Sequence, residues 1–223
     1  MSRAVLVVAA HTDDEALGCG GTIAKHVEQG DTVYAVFLAD GVTSRPDASE
    51  HELDERNSAA KQAHKILGIE QSFMLGFPDN RMDTVPLLDI VQKLEQVMHD
   101  VHPQVVYTHH NGDLNIDHRI THQAALTACR PVPGSFVREI YAFEVLSATE
   151  WNSPGASTFI PNVFVDISDH LETKMKALAA YELEMRDSPH SRSIVNAKRL
   201  AELRGSCVGV SAAEAMMAVR VIC

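Results

Sequence analysis

Cysteine is scarce in this chain, and its placement favours neither a disulfide framework nor a thiolate metal site. The four cysteines, Cys19, Cys129, Cys207 and Cys223, are widely spaced over 223 residues, and no two of them form a CxxC pair. Small secreted domains that depend on disulfides carry closely and regularly spaced cysteines instead. We therefore expect a protein of a reducing compartment and predict a cytoplasmic location.

Long apolar runs and a basic leader are also absent from the sequence. A membrane-spanning helix needs about 20 consecutive apolar residues, and no stretch of this chain approaches that length. The first residues lack the basic segment followed by an apolar segment that marks a secretory signal. We therefore expect no membrane span.

Positive charge is in deficit, since the formal net charge is -11. Proteins that bind nucleic acid or anionic membranes need basic surfaces, so we expect neither partner. The composition, with 45% hydrophobic and 22% charged residues, is that of an ordinary globular protein. The length suits one sizeable core, and we predict a single domain over residues 1–223.

Strand and helix patterns alternate along most of the chain. Apolar runs rich in β-branched residues predict four strands, at 5–10, 32–38, 71–75 and 104–108. Helical spacing of apolar residues predicts helices at 14–28, 46–68, 85–101 and from 118 to about 130. This order predicts an α/β fold, a single Rossmann-like domain with a mostly parallel, doubly wound sheet flanked by helices.

The last third of the chain has a weaker pattern. Residues 140–167 are strand-like, whereas 168–186 and 191–204 have helical spacing. Residues 216–222 suit either a last strand or a last helix.

Polar side chains crowd the ends of the first and fourth predicted strands. The first strand runs directly into His11, Thr12, Asp13, Asp14 and Glu15, and the fourth is followed by HHNGDLNIDHRITH. Ligands bind at the carboxyl ends of the strands in open α/β sheets, where these side chains would lie. Three carboxylates crowded beside an imidazole repel one another unless a cation lies among them, which predicts a bound divalent metal.

The spacing of these residues indicates a catalytic metal site. His11 and Asp14 are three residues apart across a strand-to-helix turn, and His118 at the start of a later helix offers a third ligand. Three protein ligands with open positions are typical of catalytic zinc, and we predict one Zn²⁺ per chain. Zinc makes a bound water more acidic, and a nearby carboxylate such as Asp13 can accept its proton.

Other polar residues near the site allow two interpretations. Glu15 is either a support for the site or an ordinary acid in the first turn of a helix. Three further histidines suit either a spare ligand or a hydrogen-bonded support: His109, His110 and His122.

Two of these segments resemble the motifs of a known family. AHTDDE at 10–15 is similar to the AHPDDE signature, and NIDHRITH at 115–122 to the HxDH motif, of the LmbE-like or PIG-L zinc de-N-acetylases. Further matches are Asp40-Gly41, Arg56, LGFPDNRM at 75–82 and RGSCVGVSAAEAM at 204–216, so the resemblance spans almost the whole chain.

The resemblance implies an activity and a set of roles. The family hydrolyses the acetamide of an N-acetylglucosamine-type sugar, which yields a free amine and acetate. The substrate would be a small amino sugar, as a glycoconjugate or sugar-nucleotide precursor. By resemblance, the zinc ligands are His11, Asp14 and His118, the general base is Asp13, the carboxylate that orients a neighbouring histidine is Asp117, and the sugar contacts are Arg56, Asp79 and Met82.

The chain departs from the family pattern at two positions. Thr12 replaces the proline of the first motif, and Asn115 stands where many members carry the first histidine of HxDH. That histidine is assigned to stabilising the oxyanion or protonating the leaving amine. An asparagine amide can donate a hydrogen bond to an oxyanion but cannot deliver a proton. We therefore predict that His190 supplies the missing histidine, with Arg192 beside it for an anionic group of the substrate.

Two rival functions fit the same residues. A metal-dependent phosphoesterase could use the same His/Asp site with manganese or magnesium, and would be expected to hold two metals. A non-catalytic sugar- or nucleotide-binding module on the same fold is the other rival, because Asn115 lacks a titratable proton. The sequence leaves open the identity of the sugar and whether the chain forms a homo-oligomer.

Overall fold

The structure is a computed structural model that describes residues 2–41, 44, 50–153, 155 and 157–223. Its strands are β1 (Ala4–Ala9), β2 (Thr32–Ala39), β3 (Gln71–Phe77), β4 (Val105–His109), β5 (Glu139–Phe143), β6 (Val163–Asp166) and β7 (Ala213–Val221). They form one sheet in the order β3-β2-β1-β4-β5-β7-β6. Strands β1 to β5 pair in parallel, whereas β7 is antiparallel to both β5 and β6. The predicted α/β fold with a mostly parallel sheet is confirmed.

The helices are α1 (Asp14–Glu28), α2 (Glu50–Leu67), α3 (Leu87–Val101), α4 (Ile116–Ala128), α5 (Leu171–Ala180) and α6 (Ile194–Ser206), with a short 3-10 turn at Met82–Thr84. The predicted start of the second helix, at 46–49, lies outside the described residues. Helix α5 ends at Ala180, short of the predicted 186, because the chain turns at 181–186. No described helix has both the length and the apolar character to cross a membrane.

The hydrophobic core lies on both faces of the sheet. Successive residues of a strand point to opposite faces, so Val5 and Val7 of β1 pack with α1, α2 and α5, while Leu6 and Val8 pack with α3 and α4. The central strands are therefore apolar on both faces, which explains their continuous apolar runs. With both faces covered, polar chemistry is confined to the ends of the strands.

Helix α1 packs very closely against its neighbours at two glycines. A Cβ on Gly18 would overlap the ring of Phe143, and one on Gly21 would lie 2.7 Å from the side chain of Ile167. No larger residue fits these positions without displacing its neighbours. The glycines of this segment therefore permit close packing and do not form a dinucleotide-binding loop, which begins directly after its strand.

A buried ion pair holds a kink between these two glycines. Cys19 has non-helical backbone angles, so the regular hydrogen-bond ladder of α1 is interrupted there. Glu214 of β7 accepts the N–H groups of Gly21 and Thr22 at 2.9 and 2.7 Å, and Lys174 of α5 donates to the carbonyl of Leu17 at 2.8 Å. Lys174 and Glu214 also pair with each other. This pair satisfies backbone groups on both sides of the kink.

Candidate metal centre

The two polar clusters of the sequence meet at one edge of the sheet. Strand β1 pairs directly with β4, so the loops that follow them are neighbours. The loop after β1 carries His11, and α1 begins at Asp14, while His118 lies in the first turn of α4. The potential ligand atoms of these three buried residues all lie within 4.8 Å of one another.

The distances among these side chains leave room for an ion. His118 Nε2 is 3.5 Å from Asp14 Oδ1, and His11 Nδ1 is 3.4 Å from Asp14 Oδ2. The backbone N–H of His11 also donates to Asp14 Oδ2 at 2.9 Å, which holds the strand-to-helix turn. One carboxylate therefore lies between two imidazoles.

The electrostatics of the centre fit a cation. His11 Nε2 lies 3.0 Å from Asp79 Oδ1 and 3.2 Å from Asp117 Oδ2, in addition to its contact with Asp14. Burial alone would lower the pKa of His11, but hydrogen bonds to Asp117, Asp14 and Asp79 raise it well above its usual range. Three buried carboxylates around one imidazole favour positive charge there, and a divalent metal such as zinc, bound by nitrogen and oxygen ligands, can take the place of the proton on His11.

His118 is oriented by a carboxylate that the sequence analysis did not single out. Asp113 Oδ2 lies 2.8 Å from His118 Nδ1, which leaves Nε2 directed towards Asp14. A carboxylate on the second ring nitrogen of a ligating histidine fixes its tautomer and its orientation. The signal available in the sequence was weak, namely an aspartate five residues before the histidine.

The three additional histidines near the centre are hydrogen-bonded. His109 Nε2 accepts the backbone N–H of Ala10 at 2.9 Å, and its ring stacks on that of His118 with centroids 3.9 Å apart. Burial and the charge of His118 lower the pKa of His109 well below its usual range, so it is neutral. His110 bonds to the carbonyl of Ser157, and His122 to the carbonyl of His109. These contacts favour support over ligation.

Asp13 lies beside the centre in an unusual backbone conformation. Its φ is 114°, a value that L-residues rarely adopt. Glu15 Oε2 accepts the backbone N–H of Asp13 at 3.0 Å, and Tyr181 donates its hydroxyl to Glu15 Oε1 at 2.6 Å. Glu15 is therefore a support for the site, and Tyr181, which the sequence analysis missed, extends that support.

Two arginines flank the Asp13 carboxylate. Arg192 Nη1 lies 3.1 Å from Asp13 Oδ2, and Arg56 Nη2 lies 3.7 Å from Oδ1. Burial raises the pKa of Asp13 to about 7, with Arg192 acting to lower it and Asp14 to raise it. The arginines thus stabilise the anionic form of a carboxyl that burial would otherwise neutralise.

Arg56 also explains the first departure from the family motif. It donates to Thr12 Oγ1 at 2.8 Å and to the Thr12 carbonyl at 2.7 Å, and it pairs with Glu184 at 2.5 Å. A proline at position 12 would offer no hydroxyl for the first of these bonds. Thr12 therefore links α2 to the loop that carries Asp13.

Asn115 and Asp117 form hydrogen bonds at the start of α4. Asn115 is the N-cap residue, since its Oδ1 accepts the N–H of Asp117 at 2.8 Å, and its Nδ2 donates to Asn80 Oδ1 at 3.1 Å. Asp117 accepts the backbone N–H groups of Asn80 and Met82 at 2.6 and 3.1 Å. The imidazole that Asp117 contacts is that of His11, at 3.2 Å.

A polar cavity of about 160 Å³ opens at the centre. It is lined by His11, Asp13, Asp14, Gly41, Ser44, Arg56, Asp79, Asn80, Asn115, Glu184 and Arg192. His118 lies behind Asp14, and Asp117 is fully buried below His11. The cavity therefore gathers charged and amide side chains around one face of the candidate metal centre.

Two predicted site residues are not brought to this cavity. The side chain of Met82 is fully buried in the core between the sheet and α3, so only its backbone N–H reaches the site, through Asp117. His190 is exposed and is not among the residues that line the cavity. Its Nδ1 accepts the backbone N–H of Arg192 at 3.0 Å. Neither side chain is among those that line this cavity.

This fold and centre define a class of protein. A mostly parallel α/β sheet that carries a buried His/Asp centre with a separate carboxylate in an open cavity is the arrangement of a metal-dependent hydrolase. The family model described as GlcNAc-PI de-N-acetylase, PIG-L, matches residues 6–129. The chain belongs to the PIG-L family.

Individual relatives agree with this assignment. The chain is 31% identical to an uncharacterized deacetylase, YaiS, of Escherichia coli K12, over 81% of this chain and 91% of that protein. It is 28% identical to the diacetylchitobiose deacetylase of Thermococcus kodakarensis, over 81% of this chain and 69% of that protein. The crystal structure of the conserved protein TT1542 from Thermus thermophilus superposes with a TM-score of 0.79 at 26% identity, covering 100% of this chain and 97% of that one.

Proposed function

We propose that this protein is a zinc-dependent amidohydrolase that removes the N-acetyl group from an N-acetylglucosamine-type sugar and releases acetate. The observation that carries the proposal is the position of Asp13, a buried carboxylate held beside the His11, Asp14 and His118 cluster in an open polar cavity. Family membership supports it, as does the similarity to a diacetylchitobiose deacetylase.

The proposed metal ligands are His11, Asp14 and His118, which would hold one Zn²⁺. When bound, the metal supplies Lewis-acid polarisation of the amide carbonyl and makes an attacking water more acidic. Asp113 holds the ring of His118 in the orientation this requires. Asp117 has a comparable positioning role towards His11.

We assign the movement of protons to Asp13. Its carboxylate accepts a proton as water adds to the carbonyl carbon, and Arg56 and Arg192 favour the anionic form that accepts it. Because Asn115 cannot donate a proton and His190 lies outside the cavity, we also assign to Asp13 the return of the proton to the amine as the C–N bond breaks. This replaces the expected role of His190.

The remaining cavity residues are proposed to bind the substrate. Nδ2 of Asn115 carries a second hydrogen besides the one donated to Asn80, and it could donate that hydrogen to the oxyanion. Asp79 lines the cavity and suits the sugar hydroxyls, whereas Arg192 suits an anionic group. Arg56 is already bonded to Thr12 and Glu184, so its contribution is to position Asp13.

We further propose that residues 1–223 act as a single domain in the cytoplasm, on a small-molecule substrate. One continuous sheet from β3 to β6 supports the single domain. All four cysteines are free, which supports a reducing compartment.

The test is acetate release by the zinc-loaded protein from N-acetylglucosamine and from N,N'-diacetylchitobiose, with the metal content measured alongside. We expect acetate and one metal per chain. Hydrolysis of phosphate esters with two metals per chain would favour the phosphoesterase. Tight sugar binding without acetate release would favour a binding module.

A further inference from the structure

His109 is the last residue of β4, and its imidazole is completely buried. The ring stacks on that of His118 with centroids 3.9 Å apart, and the ring of Phe143 packs against it with centroids 4.9 Å apart. Within the described part of the chain, Nδ1 of His109 has no hydrogen-bond partner, and Asp113 Oδ2 lies 3.9 Å from it. A buried polar atom without a partner costs stability. A phenyl ring of similar size would avoid that cost, so the imidazole at this position calls for another explanation.

The explanation lies at the end of β1, where the backbone is held by two side chains. The amides that follow β1 lie beyond its paired residues with β4. Two consecutive amides, those of Ala10 and His11, donate to His109 Nε2 and to Asp14 Oδ2, each at 2.9 Å. These two acceptor atoms lie 3.4 Å apart. Because Nε2 accepts a hydrogen bond, the neutral ring carries its hydrogen on Nδ1 and donates none to Asp14. His109 therefore holds the segment that leads into one proposed ligand and lies against another.

Two contacts define the orientation of the His118 ring. Asp113 Oδ2 lies 2.8 Å from His118 Nδ1, which fixes the direction of the ring edge. One hydrogen bond at the edge still leaves the ring free to tilt about that bond. The imidazole of His109, whose plane lies at 25° to that of His118, restricts the tilt. Groups that orient a ligating imidazole strengthen its binding of a metal.

We propose that His109 is a positioning residue that sets the spacing of the three proposed metal ligands. It bonds to the amide before His11, lies against Asp14 and limits the tilt of His118. The inference rests on the proposed function, because it takes these three residues to be the ligands. It goes beyond that function by giving control of the ligand geometry to a side chain that does not line the cavity.

The first test measures the zinc affinity of three variants by competition with a chelator. His109→Leu removes both the acceptor and the aromatic ring, and we expect it to weaken the affinity by about 10- to 100-fold. His109→Gln keeps an acceptor near the position of Nε2, and His109→Phe keeps a ring, so each should recover part of that loss. An unchanged affinity in His109→Leu would overturn the proposal. Loss of the metal in all three variants would also overturn it, because His109 would then be a ligand itself.

The second test reports the geometry of the ligands instead of the affinity. Zinc has a filled d shell, so Co²⁺ is used in its place at saturating concentration, and its visible absorption reports the ligand arrangement. We expect the absorption bands to shift in His109→Leu and to move back towards those of the parent protein in His109→Gln. Identical spectra in the parent protein and His109→Leu would contradict the proposal.

His26→Leu is the matched control for both tests. His26 is also a buried histidine, but its ring nitrogens lie 2.7 Å from Asp31 and 2.8 Å from the hydroxyl of Tyr107, outside the proposed centre. Its replacement should lower the thermal stability of the metal-free protein and leave the zinc affinity and the cobalt spectrum unchanged. An equal loss of affinity in His26→Leu would show that general destabilisation explains the effect at His109, which would overturn the positioning role.

The two proposals fail separately. A parent protein that binds zinc but releases no acetate would overturn the deacetylase, while the affinities and spectra would still decide the role of His109. Acetate release by the parent protein, together with an unchanged affinity and spectrum in His109→Leu, would overturn the role of His109 alone.

Discussion

Two networks of buried charged residues lie along α1; one opens into the cavity and the other is enclosed in the core. The network at the start of the helix surrounds Asp13 and opens into the cavity, and it holds a backbone conformation that L-residues rarely adopt. The network inside the helix joins Lys174 and Glu214, is almost fully buried and bonds backbone groups on both sides of a kink. We therefore expect burial of charge to serve reactivity in the first network, whereas in the second it serves local backbone pairing.

The largest effect is expected at the two adjacent aspartates Asp13 and Asp14, and it should differ between them. Asp13→Asn should reduce acetate release by about 100- to 10,000-fold and retain the metal, because it removes the proton acceptor but no ligand. Asp14→Asn should lose the metal, since it removes a proposed ligand that lies between two imidazoles. Metal analysis together with acetate release would detect the reverse pattern, which would exchange the two assignments.

Disruption of the buried Lys174–Glu214 pair should lower the free energy of unfolding and leave kcat unchanged. Glu214→Ala leaves Lys174 buried without its partner, and we expect the free energy of unfolding to fall by about 3–5 kcal/mol. Denaturant unfolding measures this loss, and kcat of the folded fraction should stay near that of the parent protein. The double variant Lys174→Met with Glu214→Leu is the control: it leaves no unpaired buried charge, so any destabilisation that remains reports the backbone groups at the kink that lose their partners. A large loss of kcat in the folded single variant would mean that the two networks are coupled.

A smaller effect is expected at the carboxylate that orients His118. Asp113→Asn should weaken metal affinity by about 10- to 100-fold, because the ligating ring loses its anionic partner. Competition with a chelator measures this affinity. Glu150→Gln provides a control at a carboxylate outside the centre and should leave the affinity unchanged.

The smallest effect is expected at Tyr181. Tyr181→Phe removes the hydroxyl that bonds to Glu15, and we expect a loss of about 1 kcal/mol in the free energy of unfolding, with a severalfold fall in kcat. KM should change little, because the phenol is buried behind Glu15 and does not line the cavity. A rise in KM without a fall in kcat would place Tyr181 in substrate binding instead.

The sequence predicted the parallel half of the fold better than its remaining strands. Runs of apolar residues identified β1 to β4, and α1 lies at its predicted position, because burial on both faces leaves a continuous local signal. The final segment suited either a strand or a helix, and the structure makes it β7. The insertion of β7 between β5 and β6 depends on pairing between distant segments, which no local pattern encodes.

The candidate centre shows the same division between local and distant contacts. His11, Asp14 and His118 come together as predicted, because each lies next to the end of a recognisable strand or helix. Tyr181 could not be found in this way, since 166 residues separate it from Glu15. The capping role of Asn115 did have a local signal, an asparagine directly before a helix.

The kink at Cys19 divides α1 into two short helical segments. The segment before the kink carries Asp14 and is bonded to Lys174 of α5 through the Leu17 carbonyl, whereas the segment after it is bonded to Glu214 of β7 through Gly21 and Thr22. A helix that is a single unit in the sequence is therefore attached to two different elements of the fold, one on each side of Cys19.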